Sequence, residues 1–197
     1  MRMANATFDL VDAPLGDSYK HIQSLPDEYR APNYRQVFSV DPSNWRKHAP
    51  PPWISSLTWR EYQYSKVRSP GALNKIIPQR QPGIYIFYAR PDYLVHQFPR
   101  FAFYVGVSNE RGSGRPLRER LKEYLPTALA SIRKRENVHR MLRLYYDQIW
   151  VAFALSERTP RELRVAEVKL HGFVHPCYGR RDFPADVKRQ QKAFGAI

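Results

Sequence analysis

From residue 81 onward the apolar residues fall into short runs with two different periods. Pro82-Gly83 marks a turn, and Ile84-Tyr85-Ile86-Phe87-Tyr88 is a β-branched and aromatic run that predicts a strand. After a loop containing Pro91 and Pro99, the stretch Phe101 to Ser108 predicts a second strand. Strict alternation puts Phe101, Phe103, Val105 and Val107 on one of its faces and Ala102, Tyr104, Gly106 and Ser108 on the other. Arg111-Gly112-Ser113-Gly114 then leads into Pro116, where a first helical turn accepts proline, and helical spacing continues to Tyr124. A strongly basic helix is predicted over 127–146. Ile149 to Leu155 is almost wholly apolar, as in a strand covered on both sides. Thr159-Pro160-Arg161-Glu162 reads as a capping box, so a helix should begin at residue 160, with Gly172 as its stop. The order β-β-α-α-β-α predicts an α+β domain over residues 81–197, built on a small three-stranded, mostly antiparallel sheet flanked by helices.

Residues 1–80 follow another pattern. They hold 9 of the chain's 17 prolines, including Pro50-Pro51-Pro52, and each proline removes a backbone donor and restricts its predecessor. Trp45, Trp53, Trp59, Tyr62 and Tyr64 make the segment too aromatic for a disordered tail. The pattern predicts an irregular arm packed on the domain that follows, with a short helix near 54–66. DNA binding and dimerisation are its candidate roles.

Composition narrows the partners. Among 197 residues there are 32 Lys+Arg against 18 Asp+Glu, a formal net charge of +14. The excess is +4 in residues 1–80 and +10 in residues 81–197. So basic a chain favours polyanions, nucleic acid first and an anionic membrane surface second. No apolar run approaches the ~20 residues of a spanning helix, and residues 1–20 lack the pattern of a secretory signal. One cysteine, Cys177, leaves no internal disulfide framework and no Cys-rich zinc site, and His171 with His175 is a poor zinc pair because Gly172 interrupts them. These features predict a cytoplasmic protein that does not enter membranes.

Some polar residues are awkward for a purely structural reading. Arg120 and Tyr124 lie four apart on one helix face, and Tyr85 and Tyr104 lie on neighbouring strands that would bring their hydroxyls close. On the helix after Thr159, Leu163, Ala166 and Leu170 form the apolar stripe and Glu167 falls on its margin, where a carboxylate needs a cationic partner. Taken singly, each has an ordinary explanation: a strand-forming tyrosine, a solvated arginine, a Glu167–Arg164 ion pair. Taken together, two phenols, a guanidinium and a carboxylate suit phosphoryl chemistry.

Their order along the chain carries more. Gly83-Ile84-Tyr85, Tyr104-Val105-Gly106, then Leu117-Arg118-Glu119-Arg120-Leu121 with Tyr124, then Glu167 with Leu170 and Pro176, resembles the GIY-YIG nuclease family over roughly residues 82–180. The resemblance implies metal-dependent hydrolysis of a phosphodiester in double-stranded DNA. It gives Tyr85 and Tyr104 the roles of general base and of positioning water or phosphate, in an order the motif leaves open. It gives Arg120 the role of stabilising transition-state charge, places Tyr124 at a His-or-Tyr position, and makes Glu167 the ligand of Mg²⁺ or Mn²⁺.

Three departures stand out. The two tyrosine motifs are 19 residues apart, a second insertion spans Asn109 to Arg115, and Gly179 stands where the family often has Asn. Such insertions resemble the restriction-endonuclease branch, which implies sequence-specific cleavage and a possible homodimer on a palindromic site. The same residues also fit two alternatives: a repair, recombination or mobile-element nuclease for branched or loosely specified DNA, and a non-catalytic DNA-binding relative. Candidate DNA-binding residues are Arg111, Arg115, Arg118, Arg133, Lys134, Arg135, Arg140, Arg143 and Arg180.

Overall fold

A four-stranded antiparallel sheet organises the chain. The computed structural model describes residues 42–78, 80–90, 101–109, 112–126, 138, 141–142, 145–176 and 183–193. Its elements are α1 (Pro42–Lys47), β1 (Arg60–Gln63), α2 (Pro70–Ile76), β2 (Gly83–Ala89), β3 (Phe101–Val107), α3 (Leu117–Lys122), β4 (Ile149–Leu155), α4 (Pro160–Val174) and α5 (Ala185–Ala193). The strand order is β1-β4-β2-β3, so the apolar β4 is central, as its composition predicts, and β3 is an edge. No helix among the described residues is long and apolar enough to cross a membrane.

The sheet has one strand more than the sequence predicts. β1 comes from the segment read as an irregular arm, and it pairs Arg60 with Phe153 through Gln63 with Trp150. Its four residues, Arg-Glu-Tyr-Gln, carry almost no apolar signal; backbone pairing along the open side of β4 is what makes them a strand. The helix expected near 54–66 is absent. Two 3₁₀ turns, Pro52–Ile54 and Tyr64–Lys66, flank β1 instead. Tyr64, Val67, Leu73 and Ile77 then enter the same buried cluster as Tyr85 and Phe87. The basic helix predicted over 127–146 lies mostly outside the described residues; Val138, Met141 and Leu142 are helical and buried.

Alternation divides the sheet into two layers. Tyr85 and Phe87 face α3, joining Leu117, Leu121 and Tyr124 in one cluster. Ile84, Val105 and Val107 face the other way, against Leu163, Ala166 and Leu170 of α4. One predicted face assignment fails. The register passes from Phe87↔Tyr104 to Tyr88↔Ala102, leaving Phe103 as the extra residue of a bulge. The bulge turns Phe103 into the α3-side cluster, away from Val105 and Val107.

Local chemistry marks the start of α4 and ties down that of α3. Thr159 caps α4 in a full capping box, its side chain accepting from the Glu162 amide while the Glu162 carboxylate accepts from the Thr159 amide. Pro116 precedes α3, and the Leu117 amide donates to the Gln81 carbonyl at 2.8 Å, tying that helix to the turn before β2. Gly172 does not stop α4, which runs to Val174 and ends at His175 in the left-handed region. Glycine is needed there for a close approach: a Cβ would lie 2.6 Å from the ring of His48 in the segment after α1. His48 in turn bonds Asp186 of α5 at 3.1 Å, and Lys47 pairs with the same carboxylate at 2.6 Å.

Candidate active site

Three tyrosines and one arginine meet between the sheet and α3. The ring centroids of Tyr85 on β2, Tyr104 on β3 and Tyr124 just after α3 form a triangle with sides of 6.1, 5.8 and 6.4 Å. The Tyr85 and Tyr124 hydroxyls are 3.0 Å apart, and Arg120 Nε donates to the Tyr85 hydroxyl at 3.3 Å. The Arg120 guanidinium lies 5.8 Å from the centre of the Tyr124 ring. Tyr85 and Tyr104 are diagonal rather than directly opposed, since Tyr85 pairs with Gly106 and Tyr104 with Phe87. The hydroxyl contact of Tyr85 is therefore with Tyr124, which the strand pattern alone does not reveal.

Gly106 makes this packing possible. It sits opposite Tyr85 on the same face, and a Cβ there would lie 2.5 Å from Tyr85 Cζ and 3.0 Å from Tyr104 Cε1. The Tyr85 ring thus lies across a bare backbone. Gly83 acts similarly at the start of β2, where a Cβ would meet Leu117 Cδ2 at 2.9 Å and collide with the Ala154 carbonyl. From the far side, the Tyr64 hydroxyl donates to the Tyr124 carbonyl at 2.5 Å, so the segment around β1 helps hold the end of α3.

Burial grades the three hydroxyls. Tyr85 is 0 % and Tyr124 1 % exposed, whereas Tyr104 on the edge strand is half-buried. Burial pushes the Tyr85 hydroxyl well above its ordinary pKa, and the neighbouring Tyr124 and Tyr104 push the same way against the opposing effect of Arg120. Tyr85 is therefore a neutral phenol at physiological pH. It can donate or accept a hydrogen bond but does not offer a resting phenolate.

Glu167 belongs to the other layer. It lies on α4 beside the stripe that packs on Ile84, Val105 and Val107, it is 6 % exposed, and its carboxylate pairs with Arg164. The sequence-level alternative of a Glu167–Arg164 pair is thus realised. Among the described residues no three His, Cys, Asp or Glu side chains gather as a metal-binding group. A lone carboxylate is still a sufficient protein ligand for Mg²⁺ or Mn²⁺, because such ions keep several waters and take further oxygens from a substrate phosphate. Arg164, its partner, is itself half-exposed. His171 and His175 are not presented as a zinc pair: His171 Nδ1 bonds the Glu167 carbonyl at 2.9 Å, and both rings pack on Phe183.

Of the basic residues expected to grip DNA, Arg115 and Arg118 are described, and both have internal partners. Arg118 donates to the Pro78 carbonyl at 2.9 Å and lies 3.4 Å from the Glu119 carboxylate. Arg115 pairs with Glu123 and reaches the Glu119 carbonyl at 3.3 Å. Arg111, Arg133, Lys134, Arg135, Arg140, Arg143 and Arg180 lie outside the described residues. Sequence reasoning missed Tyr64 and Glu123. Tyr64 carries no local signal, but Glu123 stands three residues from Arg120 on a predicted helix, a spacing at which opposite charges meet. A cleft of about 440 Å³ lined by Leu57, Gln81, Leu155, Ser156, Glu157 and Arg158 shares no residue with the tyrosine cluster. Comparison with family models, with curated proteins and with solved structures finds no match to this chain.

Proposed function

We propose that this protein is a metal-dependent DNA endonuclease of the GIY-YIG type, cutting double-stranded DNA at specific sequences, as a homodimer where the site is palindromic. The observation that carries the reading is the Tyr85–Tyr104–Tyr124 triangle with Arg120 donating to Tyr85. Residues from β2, β3 and the end of α3 converge on one face of the sheet, in a combination suited to phosphodiester hydrolysis.

The roles follow from burial and charge. Arg120 stays cationic at any physiological pH and supplies its charge to the phosphorane as negative charge builds on the equatorial oxygens. Tyr104 is the phenol that solvent reaches, so it meets the attacking water or the scissile phosphate. Tyr85, held neutral by burial, keeps Arg120 and Tyr124 in register. Glu167, on the α4 side and outside the tyrosine cluster, would hold Mg²⁺ or Mn²⁺, and the bound ion would supply Lewis-acid stabilisation of phosphate oxygens and a lowered pKa for water. The +10 charge of residues 81–197 fits a polyanionic substrate.

The test is incubation of the purified chain with supercoiled plasmid and linear phage DNA, each with Mg²⁺ or Mn²⁺, with product ends mapped. Wild type should give discrete fragments. Tyr104→Phe and Glu167→Ala should each lower the rate by about a hundredfold or more, the scale of losing one general-base or electrostatic contribution. Absence of cleavage by wild type on every substrate, or full activity in Glu167→Ala, would sink the reading. Cutting confined to branched or nicked oligonucleotides would move it to a repair or recombination nuclease.

A further inference from the structure

Arg120 is held at two points. Nε donates to the Tyr85 hydroxyl at 3.3 Å and Nη1 donates to Glu123 Oε2 at 3.0 Å. The other oxygen of Glu123 accepts from Arg115 Nη2. Hydrogen bonds therefore link Arg115, Glu123, Arg120, Tyr85 and Tyr124 in one run, from the half-exposed start of the helix to the buried phenols. The Arg120 side chain is 9 % exposed and that of Glu123 32 %, so the carboxylate sits where the buried run meets solvent.

Two other roles for Glu123 fit less well. As a metal ligand it would have to give up an arginine on each oxygen, and among the described residues no further acidic or imidazole group joins it in a metal-binding set. As a simple helix-surface ion pair it would contribute little to stability, and it would have no need of Arg115 as a second cation. What the arrangement does accomplish is orientation. A long, rotatable arginine side chain is pinned by a neutral phenol at one nitrogen and an anion at another. Among the described residues Nη2 makes no hydrogen bond, and it remains for an oxygen of the substrate.

We propose that Glu123 is the positioning residue of the site, holding the Arg120 guanidinium toward the scissile phosphodiester while Arg115 neutralises its second oxygen. The substrate named here rests on the nuclease reading above; the ordering of Arg120 by Glu123 does not. Glu123 touches neither water nor phosphate in this role, so its contribution runs wholly through Arg120.

A double-mutant cycle with plasmid DNA and Mg²⁺ tests this, run alongside the ¹⁵N-detected hydrogen exchange of the Arg120 Nε–H, assigned by its loss in Arg120→Ala. Glu123→Ala should lower kcat by about 10- to 100-fold with KM within about threefold, the scale of a misplaced catalytic group. In the Arg120→Ala background the same substitution should have no further effect. Glu123→Gln, which keeps an acceptor oxygen and the side-chain volume, should recover part of the rate. It also serves as the folded comparison if the alanine variant loses its near-ultraviolet circular dichroism. The Nε–H should exchange about tenfold or more faster in Glu123→Ala than in wild type, since it loses a partner that restrains the same guanidinium. Unchanged exchange, or an equal cost of Glu123→Ala with and without Arg120, overturns the proposal. A wild type that cuts no DNA sinks the nuclease reading instead, and the exchange measurement then still decides whether Glu123 orders Arg120.

Discussion

The two faces of β2 and β3 are built from alternate residues of the same strands, yet they hold together by different physics. On the α4 side, Ile84, Val105, Val107, Leu163, Ala166 and Leu170 pack as aliphatic groups with no polar atoms to satisfy. Burying each larger side chain contributes about 1.5–3 kcal/mol, and the interaction is tolerant of direction. On the α3 side, the corresponding strand positions carry Tyr85, Phe87, Phe103 and Tyr104, and Tyr124 joins them from the end of α3. Their rings pack edge-on or tilted, and the tyrosine hydroxyls must find partners, because an orphaned buried hydroxyl costs about 1–3 kcal/mol. Tyr85, Tyr124 and Arg120 meet that demand among themselves. The aliphatic contacts stabilise without fixing a direction and leave Glu167 at their margin, whereas the tyrosine face specifies an arrangement in which each partner depends on the others.

The largest test of this contrast is Leu163→Ala. Leu163 is fully buried in the aliphatic layer, so the variant should lose about 2–5 kcal/mol of stability in urea unfolding. Glu167 lies one turn further along the same helix, so cleavage per folded molecule at 10 °C should fall by up to about tenfold, well short of the loss in Glu167→Ala. A loss as large as that of Glu167→Ala would show that packing on this face controls the chemistry.

Gly106→Ala is the converse. One methyl group must displace the Tyr85 ring, and with no space around a buried phenol the cost should be about 1–3 kcal/mol, as for other overpacked cores. More than Leu163→Ala, it should also strip activity from the folded fraction and alter the near-ultraviolet tyrosine signal. Wild-type activity in this variant would mean that the Tyr85–Tyr124 contact is dispensable.

The smallest effect concerns the outer layer on the aliphatic side, where α1 and α5 meet through charge. Lys47, then His48 and the Val187 amide, hold the Asp186 carboxyl well below its ordinary range. The folded state therefore binds this proton less readily than the unfolded chain. The stability gained is fully present above the ordinary carboxylate pKa and drains away as pH falls below about 4 toward the depressed folded value. Asp186→Asn should lower the melting temperature slightly at pH 7 and flatten its decline between pH 4 and pH 2. An unaltered acid limb would show that the layer closes without this ion pair.

Much of the fold was legible because its signals are local. β2, β3 and β4 are marked by apolar and aromatic runs, and α4 by a capping box whose hydrogen bonds form as the spacing requires. Glu167 on the margin of the α4 stripe follows from helical period alone. β1 was not legible, since Arg60-Glu61-Tyr62-Gln63 becomes a strand only by pairing with β4. The glycine at 172 misleads for a related reason: it reads as a stop, but its value is the room it leaves for His48, more than a hundred residues earlier.

The sequence by itself determined which residues bear the candidate chemistry and which period places each on a strand or helix. Side-chain alternation and helical spacing are consequences of backbone geometry that need no partner. Only the tertiary structure decided that the Tyr85 hydroxyl bonds that of Tyr124 while its ring packs on Tyr104, that the bulge turns Phe103 across the sheet, and that Arg120 is held by Glu123 and Tyr85 together. Those outcomes depend on strand register and on the docking of α3. Both are set by the summed fit of many non-local contacts, and no short stretch of sequence encodes such a sum.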